Sequence, residues 1–285
     1  MISNFQNVIT SSFLMYIDHT VCKRGQATSD ITSLFYPVTG VYKNYYTYAA
    51  PFKQIVSDAS LPTPSQMTGV YVDGSFVVPG QNNLVAINHY DGQAIFSTDQ
   101  SSSVISGDYA VKDYNVYLTD KPEDKILFYT KIENKSRITQ TTRGLQVNEI
   151  TFPAIFLSSS STRNDPFSFG GTDMTNVSFR AIVMSDSQFS LDAACGILRD
   201  SNHSFFKLVD NSALNLNAMS AYTGTQFNYT GVATGDPVYI ADVVSAKISR
   251  GMGQDYEDLN PDVFSAIVDF ELEVVRSPHT DGIPL

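Results

Sequence analysis

The strongest constraint in this chain is a pair of period-two runs that each turn on an Asp-Gly dipeptide. In Gly69-Val-Tyr-Val-Asp-Gly-Ser-Phe-Val-Val78, two β-rich stretches flank Asp73-Gly74. That pair suits a type I′ hairpin turn, because both central residues need positive φ. Leu84-Val-Ala-Ile-Asn-His-Tyr-Asp-Gly-Gln-Ala-Ile-Phe96 repeats the arrangement around Asp91-Gly92, after the connector Pro79-Gly-Gln-Asn-Asn83. Side chains alternate across a strand with period two, so a chain patterned in this way folds as antiparallel sheet. The expectation over 69–96 is a four-stranded meander.

Similar patterns continue on both sides. Tyr109–Thr119, Lys125–Ile132, Ile150–Leu157, Asn176–Met184, Ser204–Val209, Asp236–Arg250 and Val263–Val275 all read as strands. Pro153 lacks an amide proton and favours an edge or a bulge. One segment has helical spacing. In Ser190–Arg199, Leu191, Ala194, Cys195 and Leu198 fall at i, i+3, i+4 and i+7, with Ser190 as the expected cap. Strands that do not alternate regularly with helices argue against a parallel doubly wound sheet. The fold class expected is mainly β, an antiparallel β-sandwich or barrel-like sheets with one or two short helices.

Four regions follow from composition. Residues 1–60 read as an extended N-terminal arm and first strands, and 61–157 as the meander region. Residues 158–175, rich in Ser and Gly, read as a loop or linker. Residues 176–285 read as β-rich with one helix, packed with the preceding region in one domain or as a second domain.

Composition narrows the function classes. Of 285 residues only 16% are charged, 18 Lys+Arg against 29 Asp+Glu, a formal net charge of −11. Soluble proteins average about 25% charged, so Ser, Thr, Asn and Tyr carry the polarity. An acidic chain without a basic stripe is not built for broad nucleic-acid binding. At 42% hydrophobic and 12% aromatic the chain is too apolar for disorder. Cys22 and Cys195 read as two buried thiols. The first residues show neither a basic n-region nor a long apolar run, so synthesis in a cytoplasm is expected. No stretch approaches the roughly 20 apolar residues of a spanning helix. Four Asn-x-Ser/Thr sequons occur, about the number that so much Ser, Thr and Asn presents by chance.

Motifs for chemistry are absent. There is no phosphate loop, no dinucleotide fingerprint, no nucleophile elbow and no His-Glu-x-x-His. His19-Thr-Val-Cys22 offers two metal ligands without a second pair at zinc spacing. Asp255, Glu257, Asp258 and Asp262 form an acidic loop that does not follow an EF-hand order. Asp73 and Asp91 are explained by turn chemistry. No catalytic residue, cofactor or metal is expected, and the chain reads as a non-enzyme. His89-Tyr-Asp91 is the first place a scattered catalytic site would be sought. The Tyr-rich stretch that includes Tyr42, Tyr45, Tyr46 and Tyr48 suits an interface or sugar stacking, since Tyr brings contact area and a polar tip at low entropic cost.

The hairpins Val70–Val77 and Ile87–Phe96, followed by Lys112–Asp120, resemble those of structural proteins of tailed bacteriophages. There, short V-x-V-D-G-x-F and N-x-x-D-G-x-V/I-x-F hairpins recur in neck, connector and tail components. The resemblance covers roughly residues 69–130. It implies a virion structural protein that forms a homo-oligomeric ring and contacts portal, connector or tail neighbours. It implies no membrane and no sequence-specific nucleic-acid partner, and it carries over no catalytic residue. The alternative is a carbohydrate- or receptor-binding β-sandwich module.

Overall fold

The computed structural model describes residues 5–129, 132–134, 150–168, 172–210, 226–248 and 263–276. The chain is mostly β, with few helices. It opens with helix α1 (Phe5–Gly25), where an extended arm was expected. Ile9, Phe13, Ile17 and Val21 stand four residues apart and are all buried. That spacing stacks them on one helix face. Lys23 and Arg24 sit in the last turn, where cations complement the helix dipole.

Two four-stranded sheets follow. In the first, β1 (Thr28–Leu34) pairs with β8 (Ile105–Lys112), which pairs with β4 (Val70–Val72) and then β5 (Ser75–Val77). In the second the order is β2 (Tyr36–Val38), β3 (Tyr46–Ala49), β7 (Gln93–Phe96) and β6 (Leu84–Asn88). Their inner faces share one core that includes Phe35, Tyr48, Val70, Leu84, Phe96 and Tyr109. This is the expected sandwich. The hairpin at Asp73-Gly74 has both turn residues at positive φ, 49° and 81°.

The meander, however, does not form: β5 and β6 lie in different sheets. Pro79 cannot donate to a ladder, and the connector closes on itself through Gly80 N to Leu84 O and Leu84 N to Gln81 O. The chain therefore leaves one sheet and enters the facing one. The second hairpin also differs. Asn88 pairs with Gln93, so residues 89–92 form a four-residue loop rather than a two-residue turn.

Beyond Asp113 the chain enters a six-stranded sheet. Its order is β14 (Phe205–Lys207), β15 (Pro237–Ile248), β16 (Phe264–Arg276), β13 (Thr172–Ser185), β12 (Ala154–Ser168) and β9 (Asn115–Leu118). Helices α1 and α3 (Gln188–Arg199) cover one face. Phe13 is the keystone there, with ring centroids 4.7 Å from Phe179, 5.1 Å from Phe270 and 5.6 Å from Phe206. In α3 the expected apolar face is buried, but the cap is Ser187, which accepts from Ser190 N. On the opposite sheet face an apolar cluster is buried at one end, where Phe156, Ile182 and Met184 pack with helix α2 (Glu123–Tyr129).

Two further corrections concern this region. Residues 125–129 are helical, not a strand, because Glu123 and Asp124 start a helix behind Pro122. Residues 158–168 are not a loop. They continue β12 for its full length against β13, with bulges near Ser160 and Phe167. Ser and Thr are compatible with a strand when a neighbour supplies the ladder. β10 (Ile132–Asn134) and β11 (Ile150–Phe152) form a separate parallel pair, and the Phe152–Pro153 peptide is cis. The short helix α4 (Tyr229–Val232) completes the described elements.

Candidate functional site

The four tyrosines expected at an interface divide. Tyr45 and Tyr46 are exposed, at 39% and 47%. Tyr42 is half-buried, and its hydroxyl accepts from Asn88 Nδ2 at 3.2 Å. Tyr48 is buried in the sandwich core, which corrects its assignment to a surface. Its ring meets Phe96 edge-on, its hydroxyl donates to Asp99 and it accepts from Gln100 N, both at 2.9 Å. Burial, with Asp99 alongside, pushes its pKa up to about 12.

A buried polar seam runs between α1 and the sandwich. His19 Nδ1 lies 2.6 Å from Asp58 Oδ2. Asp58 Oδ1 accepts from Ser60 N, Ser60 Oγ and Tyr229 N at 2.9, 2.7 and 3.0 Å. The Tyr229 ring stacks on His19 at 4.4 Å. Burial alone raises the Asp58 pKa, but the bonds from His19, Ser60 and Tyr229 N outweigh it and hold the carboxyl below its ordinary range. Nearby, Lys112 Nζ binds Asp18 at 2.6 Å and Lys53 Nζ stands 3.8 Å from Asp91. Gln54 joins β9 in both directions, donating to Val116 O and accepting from Val116 N, each at 2.7 Å.

The chemistry of this seam is adhesive. A nucleophile needs the imidazole as its base and the carboxylate behind the imidazole. The Ser60 hydroxyl instead donates to Asp58, so it sits on the carboxylate side of His19. His89 Nε2 donates to Met67 O, 2.9 Å away, inside the core rather than in a cleft. Burial raises the pKa of Asp91 and outweighs the pull of Lys53 and Asn88. Both cysteines are buried, and burial with Asp192 nearby pushes the Cys195 thiol up to about 11. Among the described residues, no group of three His, Cys, Asp or Glu is placed to hold a metal ion. The acidic loop at Asp255–Asp262 lies outside the described residues.

Further exposed features lie on the six-stranded sheet. Its open face presents Asp165, Asp242, Asp269, Glu271 and Glu273. Ser178 Oγ donates to Glu271 at 2.8 Å. Arg180 binds Asp269 through Nε and Nη2 at 2.6 and 2.8 Å and also binds Glu123. These hydrogen bonds push its pKa further up, so its charge is held by two carboxylates rather than offered to a ligand. An open groove of about 990 Å³ lies between Leu118–Asp124 and Ser158–Ser160, with Gln6 and Arg180 in its wall. It begins where the β9 ladder ends, at Thr119 N to Leu157 O. Beyond that bond, none of the described residues pairs with the outer edge of β12.

No family model matches this sequence, and no curated protein matches it. Among the described residues no helix is long and apolar enough to cross a membrane. Sequence reasoning missed the His19–Asp58 pair, whose members are 39 residues apart. It also missed the β12 edge, because a serine run carries no hydrophobic period.

Proposed function

We propose that this protein is a structural component of a tailed-bacteriophage virion, assembling with copies of itself as a ring at the neck or tail. On this reading it is not an enzyme, it is made in the host cytoplasm, and it ends in the particle beside portal, connector or tail proteins. The observation that carries self-assembly is the outer half of β12. From Ser159 to Asn164 every side chain is exposed and only Arg163 is charged, on a long strand whose outer ladder lacks a described partner. A strand edge almost free of charged side chains matches the charge depletion found at interface cores. The Asp73-Gly74 hairpin belongs to the segment that resembles phage proteins. The carboxylate-rich sheet face also suits a surface past which DNA moves without adhering, since like charges repel phosphates.

The test is the mass of the purified protein in solution, combined with its position in assembled particles by electron microscopy. A defined oligomer and ring density at one axial position are expected. A strict monomer that never associates with particles refutes the proposal. A second reading, a carbohydrate- or receptor-binding sandwich, draws on exposed Tyr45 and Tyr46 at one rim of the sandwich. It requires that glycan binding or adsorption falls when both are changed to Ala.

A further inference from the structure

Among the described residues, the six-stranded sheet has two edge stretches without a strand partner, and their geometry is complementary. On one side β9 covers only Ala154–Leu157 of β12, which leaves the edge open from Ser158 onward. On the other side β14 pairs with Pro237–Tyr239 of β15, and Ser204 and His203 extend that cover to Ile240. From Asp242 to Ile248 no described residue pairs with the outer edge of β15. Both open edges are present on one molecule, on opposite sides of one sheet. β12 runs antiparallel to β13, β13 to β16, and β16 to β15. A neighbour placed in the same orientation therefore brings its β15 antiparallel to β12, and the sheet continues from copy to copy. Repeated around an axis, such a head-to-tail contact closes a ring.

We infer that the open edge of β12 pairs with the open edge of β15 of a second copy, with Ser161–Arg163, beyond the bulge at Ser160, against Asp242–Val244. This deepens the self-assembly part of the proposed function and rests on it.

Two constraints choose that register. The first is the face. Thr162 pairs with buried Val177, and Val243 pairs with buried Phe270, so both lie on the helix-covered side. Ser161 pairs with Ser178 and Val244 with Asp269, so both lie on the open side. Continuing the sheet must keep like faces together, because a slip of one residue inverts every side chain. Setting Thr162 against Val243 sets Ser161 against Val244. The second constraint is charge. The same register sets Arg163 against Asp242, both on the open face, and opposite charges facing each other favour a cross-strand pair. It also covers Val244, a valine 56% exposed in one copy. The groove beside Ser158–Ser160 provides the room in which an added strand continues from the end of β9.

Paired cysteines test this directly. Ser161→Cys and Val244→Cys are placed in one chain, where native Cys22 and Cys195 are buried. Opposed residues on adjacent strands are close enough for a disulfide. Mild oxidation should then give a ladder of covalent multimers on a non-reducing gel. Mixing the two single variants should stop at the dimer. As a second readout, Arg163→Asp should weaken association about tenfold or more, and Asp242→Arg should restore it. A defined oligomer that neither cross-links at these positions nor responds to the charge swap overturns the edge pairing and leaves self-assembly intact. A chain that stays monomeric at every concentration overturns both.

Discussion

Asp58 is the point where three parts of the chain meet, and removing it should weaken the whole molecule. Its two oxygens receive His19 Nδ1 from α1, both Ser60 groups from its own turn, and Tyr229 N from α4. It is 3% exposed. Asp58→Ala leaves the buried His19 nitrogen and the Tyr229 amide without their acceptor. A buried donor left without its acceptor costs about 1–3 kcal/mol, so losing the acceptor of two such donors should cost about 2–6 kcal/mol. Asp58→Asn isolates the charge, because an amide oxygen still accepts from Ser60 and Tyr229. Hydrogen bonds to charged groups contribute about 1.5–3 kcal/mol against about 1 for neutral ones, so this change should cost about 1–2 kcal/mol. The assay is urea unfolding at neutral pH, read as the midpoint at constant slope.

The pH series gives a second, independent readout. The folded-state pKa of Asp58 lies below its unfolded value of about 3.9. Its contribution is therefore fully present above about pH 4 and is lost as the pH falls through the folded value. The gap between wild type and Asp58→Asn should shrink over that acid window. A cost below about 1 kcal/mol for Asp58→Ala, or a gap that is unchanged down to pH 2, refutes the reasoning.

Three further outcomes are expected. Phe13→Ala removes a fully buried ring that packs with Tyr16 and three phenylalanine rings and should destabilise by about 3–5 kcal/mol in the same assay. Gly92→Ala should cost about 2–4 kcal/mol, because φ is +65° and a Cβ would stand 2.1 Å from Phe52 O; an unchanged melting temperature contradicts this. Ser187→Ala should cost about 1 kcal/mol through the lost cap, whereas Ser190→Ala should cost less, and the reverse order refutes the capping geometry.

Parts of this architecture are written locally. The Asp73-Gly74 turn, the α3 face and the long strands β15 and β16 each declare themselves within a dozen residues, because turn chemistry and period are local properties. What the sequence hides is decided elsewhere in the chain. Helix α1 is buried on more than one face, with Met15, Tyr16 and Cys22 beside Ile9, Phe13, Ile17 and Val21 and with Ser12, His19 and Thr20 buried among them, so its apolar residues show no single-sided period. Ser12 is buried in it because its hydroxyl accepts Val209 N, from a segment far along the chain. The separation of the two hairpins into facing sheets depends on β8, which pairs with β4 in place of β6. His19 and Asp58 become a pair only once α1 docks, so neither residue signals the other.

The serine run of β12 shows how composition and edge protection connect. A free-standing edge strand is normally blunted by charge, proline or a bulge, since an unguarded ladder recruits any extended chain. β12 carries these devices toward its tip: Arg163, Asp165 and Pro166 follow one another, and Arg163 is ion-paired to Asp165 at 2.8 Å. Its root, Ser158–Thr162, has only one bulge, near Ser160, and no charged side chain. A monomer protecting itself would place lysine there. Neutral hydroxyls keep the segment wettable before assembly and are easily desolvated after it, because hydroxyls form hydrogen bonds in either state. The low charge of this chain therefore has a location as well as a value. On the proposed pairing, the β12 edge is free of charge along its root, Arg163 selects the register of the strand that enters, and Asp165 with Pro166 guards the tip.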